Sequence, residues 1–235
     1  MARATKDAPD RDQAMKIKIW LSLLVSMVLL SACVSSTIDE MIFQPSTKMD
    51  GRSIVVLGRR HSSDYETEPA FVRCVAKHIA SRVNNITVIN ESRFVDKLYP
   101  WFEARTAPLR IGSLENLLRK PNIKQTIVGM DTKYIIWLDG STETSNKIGS
   151  VACSIGIGAA GCFGFGSWKS DANYEATIWN FDELDQVGKI STSTTGQSYM
   201  PAVIVPIPII APVQNSACEG LANQLLKFLN PKNND

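Results

Sequence analysis

The first 33 residues constrain the fold of this chain most, because their pattern is that of a segment removed before folding. Two lysines precede an apolar run over residues 19–30, and small residues lead from that run to Cys33. This order of charged, apolar and small residues is typical of a secretory signal. The run is shorter than the roughly 20 apolar residues that a membrane-spanning helix needs. We therefore expect the folded protein to begin near Cys33, in an oxidising compartment.

The residues around Cys33 indicate how the chain is held. The tetrapeptide Leu30-Ser31-Ala32-Cys33 resembles a bacterial lipobox, in which the cysteine receives a diacylglyceryl group and the preceding peptide is removed. This resemblance to Gram-negative lipoproteins implies lipid attachment at Cys33. No aspartate associated with inner-membrane retention follows the cysteine, so the implied location is the outer membrane, facing the periplasm. The alternative is a short anchor or buried helix that begins at Lys16.

The chain divides into a leader, a tether and one domain. Residues 1–14 are polar and mixed in charge, so Met15 is a more typical start for such a signal. The residues after Cys33 are polar and turn-rich. The predicted parts are the leader and signal 1–32, the tether 33–52, a single domain 53–230 and a tail 231–235.

The balance of charge argues against a nucleic-acid partner. The full chain has 25 basic and 23 acidic side chains, and residues 1–32 contain five of the basic and three of the acidic ones. The remaining chain therefore carries 20 of each sign and is neutral. Binding to nucleic acid depends on a basic surface that neutralises phosphates, and we expect none here.

Four cysteines remain once Cys33 is assigned to lipid, an even number that suits disulfides in an oxidising compartment. Cys153 and Cys162 flank a short Gly-rich segment, whereas Cys74 and Cys218 each lie in a predicted helix. Among the three possible pairings we predict 153–162 and 74–218. A zinc site is the alternative, but the spacings do not match those of zinc ligands. We predict neither a metal nor a cofactor.

Apolar strands that alternate with helices predict an α/β fold. Residues 53–57, 86–89 and 134–138 are short apolar runs of the kind buried on both faces of a sheet. Helical patterns separate them, which favours a mixed sheet flanked by helices. The order β-α-β-α-β is then followed by an antiparallel hairpin within 173–196 and a C-terminal helix over 217–229.

Two apolar segments lack a regular pattern. Residues 148–167 are Gly-rich and predict a loop, and residues 200–213 contain four prolines, which exclude a central strand. We expect the two segments to pack on each other over the edge of the sheet. The alternative is an exposed patch for a partner protein or for the bilayer surface.

Aromatic side chains suggest where a partner would bind. Tyr99, Trp101 and Phe102 cluster in a proline-broken loop, and Phe163 and Phe165 lie in the Gly-rich loop. Aromatic anchors dominate many protein interfaces. The alternative is that these rings fold back onto the core.

No motif predicts catalysis. Residues 156–161 match the Gly-rich dinucleotide fingerprint as a string, but that fingerprint requires a helix to begin within it, and the glycine-rich residues that follow cannot form one. A nucleophile needs an adjacent base, and His61 and His78 are the only histidines. Since His78 lies one helical turn after Cys74, a thiol-dependent enzyme is a weaker alternative. We predict no catalytic residues.

The order of elements resembles that of periplasmic lipoproteins in the group of the curli-secretion lipoprotein and the penicillin-binding-protein activators. Residues 133–140 followed by 174–182 are similar to that group, and the likeness extends over about 53–229 as architecture. The Gly-rich loop and the Pro-rich segment depart from it. The resemblance implies an envelope lipoprotein that acts by protein–protein interaction in assembly or secretion. A lipoprotein that binds a small molecule or glycan through the aromatic loop is the alternative.

Overall fold

The computed structural model describes most of the chain after Cys33. The described residues are 34–46, 49, 51–59, 67–83, 85–103, 106–156 and 159–230. The predicted lipid-attachment residue Cys33, the leader 1–32, His61 and the tail 231–235 lie outside the described residues.

Helices and strands account for most of the described residues. In chain order they are β1 (Val34–Ile42), β2 (Ser53–Gly58), α1 (Pro69–Arg82), β3 (Thr87–Ile89), α2 (Glu91–Lys97), α3 (Ile111–Leu118), α4 (Pro121–Gly129), β4 (Thr132–Gly156), β5 (Ala159–Asn180), β6 (Asp185–Pro206) and α5 (Val213–Leu229).

The strands form one mixed sheet in the order β1-β6-β5-β4-β2-β3. Strand β2 is parallel to both β3 and β4, whereas β4, β5, β6 and β1 pair antiparallel. The predicted fold class, a mixed α/β sheet flanked by helices with a following antiparallel hairpin and C-terminal helix, is confirmed.

Helices cover both faces of the parallel part of the sheet. Helices α1 and α5 pack on one face against alternate residues of β2 and β4, including Ile54, Val56 and Ile136. Helices α2, α3 and α4 pack on the other face against the intervening residues, including Val55 and Leu57. Successive strand residues point to opposite faces, so a strand covered on both faces must be apolar throughout. This explains the unbroken apolar runs of β2 and the first part of β4.

The disulfide Cys74–Cys218 joins α1 to α5 on the first of these faces. The two cysteines are 144 residues apart in sequence and their Cα atoms are 6.3 Å apart. Cys218 is completely buried. The pairing predicted from the sequence is present, and it links the first and last helices of the domain.

The segment predicted as a tether contains strand β1. Residues Val34 to Ile42 pair in continuous antiparallel register with Gly196 to Gly188 of β6. The side chain of Ile38 contacts the first hydrophobic core. The prediction missed this strand because its other residues are mostly exposed and polar, and its partner strand is distant in the sequence.

The two irregular apolar segments are also strands for most of their length. Residues 148–156 end β4 and residues 159–167 begin β5, so the predicted Gly-rich loop is the end of a long hairpin. Residues 200–206 belong to β6 despite their prolines. The prediction of a loop over 148–167 was wrong because pairing between neighbouring strands overrides the weak strand preference of glycine. Residues 200–206 form an outer strand, since β1 pairs with β6 only as far as Gly196, and this agrees with the prediction that their prolines exclude a central strand.

Candidate interaction surface

Strands β4, β5 and β6 extend beyond the helices as a three-stranded arm, which we define as residues 145–156, 159–169 and 197–206. Within β4, residues 132–138 are buried, whereas nearly every residue from 143 to 156 is exposed. The arm is therefore an extension of the sheet without a hydrophobic core of its own.

Large apolar side chains cover the arm. Their exposed fractions run from 52% for Phe165 to 90% for Ile155. No Asp, Glu, Lys or Arg occurs between Lys147 and Lys169, or between Lys189 and Glu219. Soluble proteins rarely expose a contiguous apolar surface of this kind without a binding role. The exposed apolar residues of the arm are Ile148, Ile155, Phe163, Phe165, Val203, Ile204 and Val205.

Both faces of the arm are apolar. Phe163 lies opposite Val203 in the strand register, and the rings of Phe165 and Tyr199 are 6.0 Å apart on the same face. The other face carries Ile204 opposite Cys162. One face of the arm therefore carries Phe163, Phe165, Tyr199 and Val203, and the other face carries Ile204.

A disulfide and two glycines shape the end of the arm. Cys153 lies directly opposite Cys162 and the two are bonded, with Cα atoms 4.0 Å apart. Gly149 and Gly164 have positive φ values, and a side chain on Gly164 would collide with the backbone carbonyl of Ser150. Glycine is required where strands approach this closely. Both predicted disulfides are thus present in the structure.

The outer edges of the arm differ in their backbone partners. The pairing of β4 with β2 ends at Leu138, so residues 148–156 have no strand neighbour on that side among the described residues. On the opposite edge, the chain after β6 turns back, and Ile209 exchanges two backbone hydrogen bonds with Tyr199. The N–H of Ile207 also donates to Pro201 O at 3.0 Å.

The aromatic loop predicted as a binding surface is divided between surface and core. Tyr99 is 70% exposed. Phe102 is only 4% exposed, since it packs edge-on against Phe94 and stacks with Trp137 in the second core. Trp101 is half-buried, and the ammonium of Lys120 lies 3.3 Å from the centre of its ring. Of the predicted surface residues, Tyr99, Phe163 and Phe165 are exposed, and Phe102 is a core residue.

A buried arginine fills the crevice at the carboxyl ends of the parallel strands, where α/β proteins commonly bind ligands. Arg59 follows β2 and donates to Pro108 O at 2.7 Å and to Leu109 O at 3.2 Å. Its guanidinium lies 4.2 Å from the centre of the Trp137 ring. Burial lowers the pKa of Arg59 to about 10. The cavity that remains has a volume of about 10 Å³, which is room for about one water molecule.

A second buried polar group lies where the arm leaves the domain. Tyr174 Oη donates to Glu68 Oε2 at 2.9 Å, and the N–H of Thr142 donates to Glu68 Oε1 at 2.7 Å. Gln214 Nε2 donates to Tyr174 Oη at 3.2 Å. Burial raises the pKa of Tyr174 to about 12, and the neighbouring Glu68 carboxylate contributes to the increase. The network ties the start of α1 and the start of α5 to the sheet.

A row of carboxylates crosses the sheet where no helix covers it. The strand register pairs Asp139 with Glu175, Glu175 with Ser191, and Ser191 with Asp39. The three carboxylates line an open groove of about 340 Å³. Lys189 Nζ lies 2.7 Å from Glu175 Oε2. Within the described part of the chain, no group of three or more His, Cys, Asp or Glu side chains is placed to hold a metal ion.

The proposed nucleophile and base do not form a reactive pair. The sulfur of Cys74 is bonded to Cys218, so it is not a free thiol beside His78. His78 Nε2 is buried without a hydrogen-bond partner among the described residues. No local motif marks Arg59 or the Glu68–Tyr174 network, so neither could be predicted from the sequence. The arm did leave a signal, namely the long stretches without charge.

Comparisons with known proteins give no family. No family model matches the chain, and no curated protein matches it. Two solved structures of PelC dodecamers from Paraburkholderia phytofirmans are similar at 8% identity. One, a single-residue variant, has a TM-score of 0.37 over 83% of this chain and 99% of that chain, and the other has 0.36 over 83% and 97%. Similarity at this level is too low to transfer fold or function.

None of the helices in the described residues is long and apolar enough to cross a membrane.

Proposed function

We propose that this chain is a lipid-anchored protein of the cell envelope that acts by binding other envelope components and not by catalysis. A diacylglyceryl group on Cys33 holds it to the outer membrane on the periplasmic side, and a protein partner in envelope assembly or secretion binds the domain. The lipobox supports the anchor, and the surface of the domain supports the mode of action.

The exposed arm is the observation that carries this proposal. Seven large apolar side chains of the arm are exposed, and they are distributed over both of its faces. Burial of apolar surface contributes roughly 25 cal/mol per Å², so a surface of this extent favours association strongly. Exposed apolar surface outside the hydrophobic core therefore favours a role in which another molecule covers the arm.

The ligand crevice of the fold argues for binding of macromolecules over catalysis. Arg59 occupies this crevice, and its guanidinium donates two hydrogen bonds to backbone carbonyls of the same chain. Among the described residues, the volume that remains beside it is about 10 Å³, which is too small for a substrate. The carboxylates of the uncovered sheet face are solvent-accessible and open, unlike the enclosed clefts in which small-molecule sites usually lie.

The connection between α2 and α3 offers a surface for a protein partner. Tyr99 and Leu109 are both exposed apolar side chains in this connection. Arg110 and Lys120 are exposed close to them in sequence. Aromatic residues and arginine are enriched in protein interfaces, so this connection is a second candidate contact for a partner.

Crosslinking in intact cells tests the mode of action. We expect a photoreactive residue at Tyr99 or Leu109, both exposed outside the arm, to give discrete crosslinked species, and the same residue at Ser81 on the exposed side of α1 to give none. Mass spectrometry of the purified protein tests the anchor, and we expect a chain that begins at an acylated Cys33. An unmodified Cys33 with the leader still attached, or equal crosslinking from all three positions, would overturn the proposal.

A further inference from the structure

We infer that the arm enters the surface layer of a lipid membrane, at the boundary between headgroups and acyl chains. This inference rests on the proposed function, since it names lipid as the component that covers the arm and takes the anchor at Cys33 as its starting point.

The distribution of charge favours lipid over protein as the covering component. A protein interface typically joins one apolar face to a polar rim. The arm is apolar on both faces, and its last charged residues are Lys147 on β4 and Lys169 on β5. The corresponding part of β6 carries no charge at all. An element that carries apolar side chains on both faces and charge only at its base suits a lipid environment.

The base of the arm has the composition of a membrane interface. Trp168 and Tyr199 lie there beside Lys147 and Lys169. Tryptophan and tyrosine are enriched at the level of lipid headgroups, and lysine places its ammonium there while its methylene chain lies against apolar groups. The aromatic and cationic residues therefore mark a single level across the strands.

The start of β1 lies at the same level. Val34, the first residue of β1, pairs with Gly196, and the next residue of β6, Gln197, pairs with Lys169. Cys33 directly precedes Val34 in the sequence, so an acyl group on Cys33 would be attached within a residue or two of the base of the arm, where Lys169 lies. Lipid held at that point brings the arm to the membrane without any further contact.

The free edge of β4 determines how deep the arm goes. Backbone N–H groups without partners are costly in hydrocarbon, and residues 148–156 have such an edge within the described part of the chain. Headgroup phosphates, ester carbonyls and water accept these hydrogen bonds. The other edge is protected, because prolines at 201, 206 and 208 have no N–H and Ile207 and Ile209 pair with β6. The arm therefore remains shallow.

Vesicle flotation tests the inference without the anchor. The mature chain with Cys33→Ala, which cannot be acylated, is mixed with vesicles of phosphatidylethanolamine and phosphatidylglycerol and floated on a density gradient. We expect this chain to bind the vesicles. The Phe163→Asp/Phe165→Asp variant should bind at least about tenfold less, because it lacks the favourable free energy of transferring two phenyl rings from water to lipid.

Met41→Asp/Phe43→Asp is the matched control. Met41 and Phe43 are each 57% exposed, close to the values for the two arm residues. They lie at the C-terminal end of β1, whereas Val34 at its N-terminal end lies next to the arm. We expect this variant to bind as the parent chain does, because its substitutions lie far from the level of the lipid. A count of disulfides and circular dichroism should show both variants folded. Equal loss in both variants, or no binding by the parent chain, overturns the inference.

Fluorescence quenching tests the depth. Phe165→Trp in a Trp168→Phe background places a reporter on the arm without the native tryptophan at its base, and vesicles carry bromine either near the headgroup or near the end of the acyl chain. We expect stronger quenching from the shallow position, and stronger quenching from the deep position overturns the shallow placement. Because the chain lacks an acyl group here, failure to bind vesicles is distinguishable from failure of acylation or of crosslinking in cells.

Discussion

Val34 and Gly196 lie opposite each other where β1 begins its pairing with β6. A Cβ atom on Gly196 would lie 2.7 Å from Val213 Cγ1, 2.8 Å from Ala211 Cβ and 3.4 Å from Val34 Cγ2. The first two distances are shorter than carbon atoms tolerate, so glycine allows the start of β1, the start of α5 and β6 to meet.

We predict that Gly196→Ala destabilises the domain by about 1–3 kcal/mol, the usual cost of adding a methyl group to a packed site. Urea unfolding measures the change. Gly112→Ala in α3 is the control, since a Cβ there would meet nothing within 4 Å and helix propensity favours alanine by up to about 1 kcal/mol. Similar stabilities for both variants would contradict the close approach.

Loss of the Tyr174 hydroxyl should destabilise the domain at neutral pH. Tyr174→Phe removes the donor to the half-buried Glu68 carboxylate, and a hydrogen bond to a charged group contributes about 1.5–3 kcal/mol. We expect a lower urea midpoint for this variant and an unchanged one for Tyr99→Phe, where the side chain is exposed. An unchanged midpoint in Tyr174→Phe would show that water replaces the lost hydrogen bond.

The same hydroxyl predicts a loss of stability at high pH. Burial raises the pKa of Tyr174 to about 12 in the folded protein, against about 10 when unfolded. The folded state therefore favours the protonated phenol. Its contribution is fully present below about pH 10 and is lost as the pH rises through about 12. Between these two pH values, stability should fall more steeply in the parent chain than in Tyr174→Phe, as measured by urea midpoints.

The two disulfides should differ in their effect on global stability. Closing a loop of 144 residues restricts the unfolded chain by about 5 kcal/mol in the loop-entropy model, and a loop of 9 residues by about 2.6 kcal/mol. We expect Cys74→Ala/Cys218→Ala to lower the free energy of unfolding by several kcal/mol. Cys153→Ala/Cys162→Ala should change it by less than about 1 kcal/mol, because the arm opens locally. A larger effect from the second pair would contradict this assignment.

Arg59 should hold the connection before α3 in place. Arg59→Met leaves Pro108 O and Leu109 O without their donor, which we expect to cost about 1–3 kcal/mol and to speed amide hydrogen exchange within 106–110. Arg119→Met is the control, since its ion pair with Glu115 is exposed and contributes less than about 1 kcal/mol. Unchanged exchange in Arg59→Met would show that the connection is held by other contacts.

The central sheet could be predicted from the sequence because burial on both faces leaves a local signal. Strand β2 and residues 132–138 of β4 are buried throughout and largely apolar, and an apolar run of that length between turn residues predicts a central strand. The helix start at Pro69 was also predictable from its proline. The disulfides followed from the number of cysteines and from the short separation of Cys153 and Cys162.

The arm was not predicted because glycine, alanine and serine, which have little strand preference, make up most of residues 148–167 and outweigh the few β-branched and aromatic residues among them. The strand register comes from pairing with β5 and β6, which the local sequence does not specify. Strand β1 escaped prediction for the same reason. Phe102 and Tyr99 are both aromatic residues of one loop, and only the three-dimensional structure shows which ring finds space in the core.

Because β1 is part of the sheet, no flexible linker separates the predicted lipid anchor from the folded domain. A flexible linker of about 20 residues would let the domain reorient and reach partners at a distance. With Val34 already paired to Gly196, an acylated neighbour would seat the body directly on the membrane in one orientation. Such a protein cannot search the periplasm, so whatever it binds must come to it at the membrane surface, and always from the same side.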